Sequence, residues 1–110
     1  MNYFGLTAHL KDAPQAVAAY KEYHKNLWPE VAASLHRVGL KRSRIFLHGR
    51  QLFMYMEVAD DFDASTYLAR YLEEPKAVEW ERLMSSYLET PPNAAPGQLW
   101  TRMEPIFELN

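Results

Sequence analysis

The chain contains no cysteine, which removes disulfides, thiolate nucleophiles and cysteine-held zinc together. It also lacks a strong charge of either sign, with twelve Lys and Arg against fourteen Asp and Glu and a formal net charge of −2. No basic stripe interleaved with aromatics occurs, so the electrostatic footprint of nucleic-acid binding is missing. The apolar runs are too short to span a bilayer, and Met1-Asn2-Tyr3-Phe4 has neither the basic region nor the apolar segment of a secretory signal. A cytoplasmic protein without membrane contact is expected. There is no glycine-rich phosphate loop, no Gly-x-Ser-x-Gly turn and no His-Glu-x-x-His helix. The four histidines, His9, His24, His36 and His48, have none of the spacings of a metal site, so no metal is expected. Internal repeats and low-complexity segments are absent as well.

What remains is rich in apolar and aromatic side chains. A content of 48% hydrophobic and 14% aromatic residues over 110 residues suits one domain, residues 1–110, with a core of its own. Tyr3 to Leu10 alternates Phe4, Leu6, Ala8 and Leu10 with Tyr3, Gly5, Thr7 and His9, which is the period of a strand. Asp12 and Pro14 then mark a helix start, and Val17, Tyr20, His24, Leu27, Val31, Leu35 and Val38 recur near helical spacing until Gly39. Pro29 falls inside that segment and predicts a kink or break, because it removes a donor and pushes Trp28 out of the helical region. Ser43 to His48 and Gln51 to Ala59 read as a hairpin around Gly49-Arg50. Asp60 to Asp63 predicts a cap for a helix beginning near Ala64, and Pro75 restarts a helical stretch carrying Val78, Leu83, Tyr87 and Leu88. Pro91, Pro92, Pro96 and Gly97 give loop chemistry between Glu89 and Gln98, before a closing strand over Leu99 to Leu109.

The order β, α, β, β, α, β is that of a ferredoxin-like α+β domain, a four-stranded antiparallel sheet with helices on one face. Tyr3, Phe53, Tyr55, Trp100 and Ile106 are expected on the other face, beside Arg102, Glu57 and Glu104. Left bare they would form a large apolar patch, so a homodimer through the sheet face is expected, with a site between sheet and helix.

The residues with chemistry concentrate in the run from Tyr20 to Glu30. Tyr20, His24 and Trp28 are four apart, so one helical stripe presents a hydroxyl, an imidazole and an indole. Two readings fit: a small polar-ligand site, or simple packing with the imidazole satisfied by a backbone carbonyl. His36 and His48 read as solvated, and strand periodicity aims His9 at the second sheet face. Trp80 suits the core, or an apolar platform for the C–H face of a sugar. Glu57 and Glu104 read as solvated or paired with Arg44 or Arg102, or, if inward-facing, as hydrogen-bond or proton acceptors. Met54 and Met56 read as core, and the helix cap accounts for Asp60 to Asp63 without a metal.

Tyr20-x-x-x-His24, Trp28-Pro29-Glu30, Leu52-Phe53-Met54 leading to Glu57, Trp80 with Met84, and Met103-Glu104-x-Ile106-Phe107 together resemble the rhamnose mutarotase family, in order and along nearly the whole chain. The Tyr-x-x-x-His-x-x-x-Trp-Pro-Glu run is its most specific element. The resemblance implies a dimeric αβ-barrel protein that interconverts the anomers of a deoxyhexose without metal or organic cofactor. It places the family's proton-donating histidine on His24, its ligand-binding tyrosine on Tyr20, and the first of its paired tryptophans on Trp80. Ser43 stands where rhamnose-specific members carry a sugar-binding tyrosine, and Glu81 stands at the second tryptophan. The Asp-Asp-Phe-Asp segment and Pro96-Gly97-x-x-Trp100 are similar to members linked to L-fucose breakdown, which leans the implied substrate toward L-fucose.

Anomer exchange needs one acid and one base, and histidine titrates nearest neutral pH. The expected roles are His24 as the acid/base, Tyr20 on the sugar, Trp28 and Trp80 along its apolar side, and Glu57 or Glu104 as counter-base. Two further readings stay open: a cofactor-independent monooxygenase of the same fold, which would call for a more apolar pocket, and a noncatalytic sugar-binding module.

Overall fold

The computed structural model describes residues 2–92, 94–95 and 97–110. Its elements run β1 (Asn2–Leu10), α1 (Pro14–Lys25), α2 (Pro29–Arg37), β2 (Leu40–His48), β3 (Gln51–Val58), α3 (Tyr67–Tyr71), α4 (Pro75–Ser85), β4 (Leu88–Glu89) and β5 (Thr101–Met103). Pro96, part of the proline-rich loop read from the sequence, lies outside the described residues.

Proline sets the helix boundaries. Pro14, Pro29 and Pro75 each sit in the first turn of a helix, where the missing N–H costs nothing and the fixed φ favours helical entry. The expected interruption at Pro29 is a full break, since Trp28 is extended at φ −63°, ψ 131° and divides one long amphipathic stretch into α1 and α2. Two expected caps are not used: α1 starts after Ala13 with no side-chain cap from Asp12, and Asp63 binds the backbone and hydroxyl of Ser65 in a turn, so the next helix begins at Tyr67 instead of Ala64. On α4 the buried stripe is Ala77, Trp80 and Met84, whereas Val78 is exposed and Leu88 already belongs to a strand. Of the expected stripe only Val78 faces solvent, since Leu83 and Tyr87 pack against the core and Leu88 is buried in it.

The sheet is antiparallel in the order β2-β3-β1-β4, with β5 also paired to β1. This is the ferredoxin-like α+β arrangement, with five strands where four were expected. The fifth arises because the closing edge is in two pieces on the same side of β1: β4 pairs with His9 and Leu10, and β5 with Gly5, Leu6 and Thr7. Pro105 stops β5, so the expected strand to Leu109 ends at Met103.

Period-two alternation sorts the side chains to two faces. Ala8, Leu10 and Leu52 point to the helices and join Tyr20, Val31, Val38, Tyr71, Ala77, Trp80 and Met84 in the main core. Met56 and Val58 form a smaller cluster with Leu40, against which Phe4, Leu6 and Phe62 pack. Leu6 is the cross-strand partner of Arg102, so Arg102, and Trp100 two residues before it, share the helix-facing side. That corrects their expected position on the far face.

The far face carries Tyr3, Phe46, Phe53, Tyr55 and Met103. Tyr3 packs on Tyr55 with ring centroids 6.1 Å apart, and Phe46 stacks on Phe53 at 6.2 Å. Gly5 makes room for this face, since a Cβ there would come within 3.0 Å of the Phe53 ring. Phe46 is 55% exposed and Met103 43%. Beyond β5 the chain continues with exposed Ile106, Phe107 and Leu109, and the neighbouring Glu108 raises the pKa of Tyr3. Among the described residues no helix is long and apolar enough to cross a membrane.

Candidate active site

The site begins with one turn of α1. Tyr20 and His24 lie side by side with ring centroids 4.3 Å apart, and the carbonyl of Tyr20 is 2.8 Å from His24 Nδ1. A carbonyl only accepts, so Nδ1 carries the proton and, in the neutral ring, Nε2 is left with its lone pair. Burial lowers the His24 pKa below its usual 6.5, and the hydrogen bond to Tyr20 opposes this without reversing it. The ring is thus a neutral base near pH 7, with a fixed tautomer.

Trp80 of α4 holds that ring in place. It is buried and stands edge-on to His24 at 5.3 Å, to Trp28 at 5.1 Å and to Tyr23 at 6.3 Å. Each is a favoured geometry, the positive edge of one ring meeting the negative face of another. The break at Pro29 places Trp28 in this cluster, and Lys76 Nζ sits 5.7 Å from the centre of its ring.

Glu81, the next residue on α4, brings a carboxyl group to the same region. It is partly buried, and the hydroxyl of Tyr71 donates to its Oε1 at 2.9 Å. Burial raises its pKa above the usual 4.5, and the Tyr71 bond, which favours the carboxylate, compensates only in part. Three phenols feel the charge of this group. Tyr20, Tyr67 and Tyr71 all have raised pKa values, first through burial and then through Glu81, with Arg102 acting the other way at Tyr67. The backbone that carries Tyr71 is itself tied down, since Ser34 Oγ donates to the Tyr71 carbonyl and Arg37 to both Ser34 Oγ and the Arg70 carbonyl.

An open cleft of about 250 Å³ adjoins this cluster on the helix side of the sheet, with Phe4, Met56, Tyr67, Gln98, Trp100 and Arg102 on its walls. That is near the lower bound of ligand pockets, about 300–1,000 Å³, and suits one small molecule. Arg102 lies 4.0 Å above the Phe4 ring, a cation over an aromatic face. Tyr67 stands in the cleft wall and also feels the charge of Glu81, whereas His24 itself is not among the residues that line the cleft.

Of the residues singled out in the sequence, Tyr20, His24, Trp28 and Trp80 come together. Glu57 does not join them. It lies on the far sheet face, where it accepts from the Tyr55 hydroxyl at 2.9 Å and pairs with Arg42 at 3.4 Å. Glu104 is exposed beyond the end of β5. Strand parity explains Glu57, which pairs with Tyr3, an outward residue, and the end of β5 at Met103 explains Glu104, which lies past the last paired position. His9 also faces outward, with a buried Nδ1 that has no hydrogen-bond partner. Tyr67 and Tyr71 went unrecognised as site residues, Arg102 was expected on the far face, and Glu81 was singled out only as standing at the family's second tryptophan. A carboxylate directly after a buried tryptophan was the available signal for Glu81, and the pairing of Arg102 with inward Leu6 would have placed the arginine.

Comparison with known proteins extends over nearly the whole chain. The family model of L-rhamnose mutarotase matches residues 3–109. The chain belongs to the L-rhamnose mutarotase family. Within that family, an L-fucose mutarotase from Xanthomonas campestris is 36% identical over 103 residues, covering 92% of this chain and 82% of the relative. An L-rhamnose mutarotase from Paraburkholderia phymatum is 29% identical over 90 residues, covering 82% of this chain and 80% of the relative. The crystal structure of L-rhamnose mutarotase from Formosa agariphila superposes with a TM-score of 0.71 at 25% identity, covering 100% of both chains. The mutarotase family's fold thus extends over the whole length described here.

Proposed function

We propose that the protein is a sugar mutarotase that interconverts the α and β anomers of an L-6-deoxyhexose, L-fucose in preference to L-rhamnose, by acid/base ring opening. The observation that carries this is the orientation of His24: its Nδ1 proton is committed to the Tyr20 carbonyl at 2.8 Å, and Trp80 closes its other side at 5.3 Å, so Nε2 is the nitrogen available to a ligand. Membership of the mutarotase family and the similarity to an L-fucose mutarotase supply the reaction and the sugar class.

Ring opening removes the proton of the C1 hydroxyl, delivers a proton to the ring oxygen and breaks the C1–O bond. The aldehyde turns about C1–C2, and closure on its other face returns both protons. No electrons change hands, so neither metal nor organic cofactor is required. His24 exchanges one of the two protons, Tyr20 hydrogen-bonds the sugar, and Trp28 and Trp80 supply the apolar wall. His24→Gln is expected to abolish catalysed exchange, read by saturation-transfer NMR between the anomer signals of L-fucose and L-rhamnose, while leaving the circular dichroism spectrum unchanged. Exchange at the wild-type rate in that variant would refute the assignment.

The exposed far face of the sheet supports a homodimer. Tyr3, Phe46, Phe53 and Met103 make an apolar surface of the kind a second copy covers by twofold symmetry. Phe46→Glu should shift the protein toward monomer in sedimentation, and an unchanged mass across a dilution series of that variant would count against this interface.

A further inference from the structure

One proton transfer of the mutarotation has no owner once Glu57 and Glu104 are seen to lie away from His24. We propose that Glu81 is the second acid/base, and that it and His24 carry one proton between them, passed through the substrate. This rests on the mutarotase reading and deepens it.

Two chains of contact link Glu81 to the cluster that holds His24, leaving the two groups apart from each other, as groups that act on opposite sides of one substrate are. Along α4, Glu81 directly follows Trp80, whose ring is 5.3 Å from the imidazole. Across from α1, Tyr20 touches the His24 ring at 4.3 Å, and its hydroxyl lies within the influence of the Glu81 carboxylate. The group is held in a defined orientation by Tyr71 at 2.9 Å, as a proton-transfer residue must be. Its surroundings are Tyr20 from α1, Tyr67 and Tyr71 from α3, and Arg102 from β5 beyond Tyr67. Among the described residues no lysine or arginine pairs with it, so it is not tied up in a structural bridge there.

Burial moves the two groups toward each other, His24 down and Glu81 up. With one shared proton, the neutral pair offers a lone pair on His24 Nε2 and a proton on the Glu81 carboxyl. During ring opening the C1 hydroxyl and the ring oxygen each meet one member: the member lacking a proton accepts from C1–OH, and the member holding one donates to the ring oxygen as the C1–O bond breaks. The pair becomes imidazolium and carboxylate, the total proton count unchanged. Ring closure on the opposite carbonyl face runs the same transfers backwards and restores the pair.

Glu81→Gln retains an oxygen to accept from Tyr71 but cannot exchange a proton. Its kcat for anomer exchange should fall about 10²–10⁴-fold, the usual contribution of a general acid or base, with KM little changed. The wild-type rate should follow a bell-shaped pH profile whose limbs belong to the pair. Tyr71→Phe removes the bond that favours the carboxylate, so one limb should move to higher pH, a shift that a purely structural glutamate would not produce. This measurement also serves if Glu81→Gln fails to fold. A Glu81→Gln enzyme with wild-type kcat, or one impaired only in KM, or a Tyr71→Phe profile with unmoved limbs would overturn the assignment. Wild-type protein that does not accelerate exchange overturns the mutarotase reading itself. Loss on His24→Gln alongside full activity in Glu81→Gln overturns only the role of Glu81.

Discussion

Trp80→Ala tests whether the aromatic cluster both stabilises the fold and tunes His24. The indole is 4% exposed and meets three rings edge-on, those of His24, Trp28 and Tyr23. Removing a buried tryptophan costs about 3–5 kcal/mol, in which ring pairs of this kind account for about 0.5–1.5 kcal/mol each. A domain of this size is stable by about 5–15 kcal/mol, so the variant should fold but sit close to its limit. With a urea dependence of about 1–3 kcal/mol per molar, the unfolding midpoint should drop by about 2 M. A second readout comes from His24 itself. Burial is the main cause of its lowered pKa, and opening a cavity beside the ring admits water, so its titration by the imidazole Hε1 resonance should move back toward 6.5. A midpoint shift under about 0.5 M, near 1 kcal/mol or less, or a His24 pKa unaffected by the substitution, would refute the account of this cluster.

Other outcomes follow from the same structure. The pKa of His24 is lower in the folded protein than the 6.5 of the unfolded chain, so the unfolded state takes up the proton first and stability falls as pH drops through that interval; His24→Gln should flatten the fall in urea titrations between pH 7 and 5. Glu81 has the opposite sign. Its folded pKa exceeds 4.5, so its stabilising contribution is complete below that pH and is lost as pH rises through the raised value; Glu81→Gln should therefore be more stable than wild type at pH 7, with the gap closing in acid. Gly39, at φ +101°, would place a new Cβ 3.4 Å from the Phe62 ring, so Gly39→Ala should lose about 1–3 kcal/mol in chemical denaturation instead of the gain an unstrained glycine replacement brings.

Much of the fold could be read because local rules agree with tertiary packing. The proline at each helix start, the alternation in β1 and the glycine turn at Gly49 act over a few residues, and nothing long-range contradicts them. The errors lie where a long-range partner decides. Val78 reads as part of the buried stripe on α4, but tertiary packing buries Ala77, Trp80 and Met84, with Leu83 beside them, and leaves Val78 in solvent. Trp100 and Arg102 could be assigned to a face only through the register of β5 against β1, which the sequence does not state. For the site, the half carried on one helix was legible, because residues four apart on α1 must be neighbours. The other half comes from α3, α4 and β5. The sequence marks Glu81 only as the residue at the family's second tryptophan, and the bond it accepts from Tyr71, together with its burial, is what shows a carboxyl whose pKa is raised.

The divided edge of the sheet has a consequence for substitutions. Because β4 grips one end of β1 and β5 the other, each has its own hydrogen-bonded anchor, and the intervening stretch 90–100 need not keep strand geometry. That stretch delivers Gln98 and Trp100 to the cleft wall. Substitutions between the two anchors can therefore alter the cleft wall without touching the paired positions of β1 or the histidine on α1.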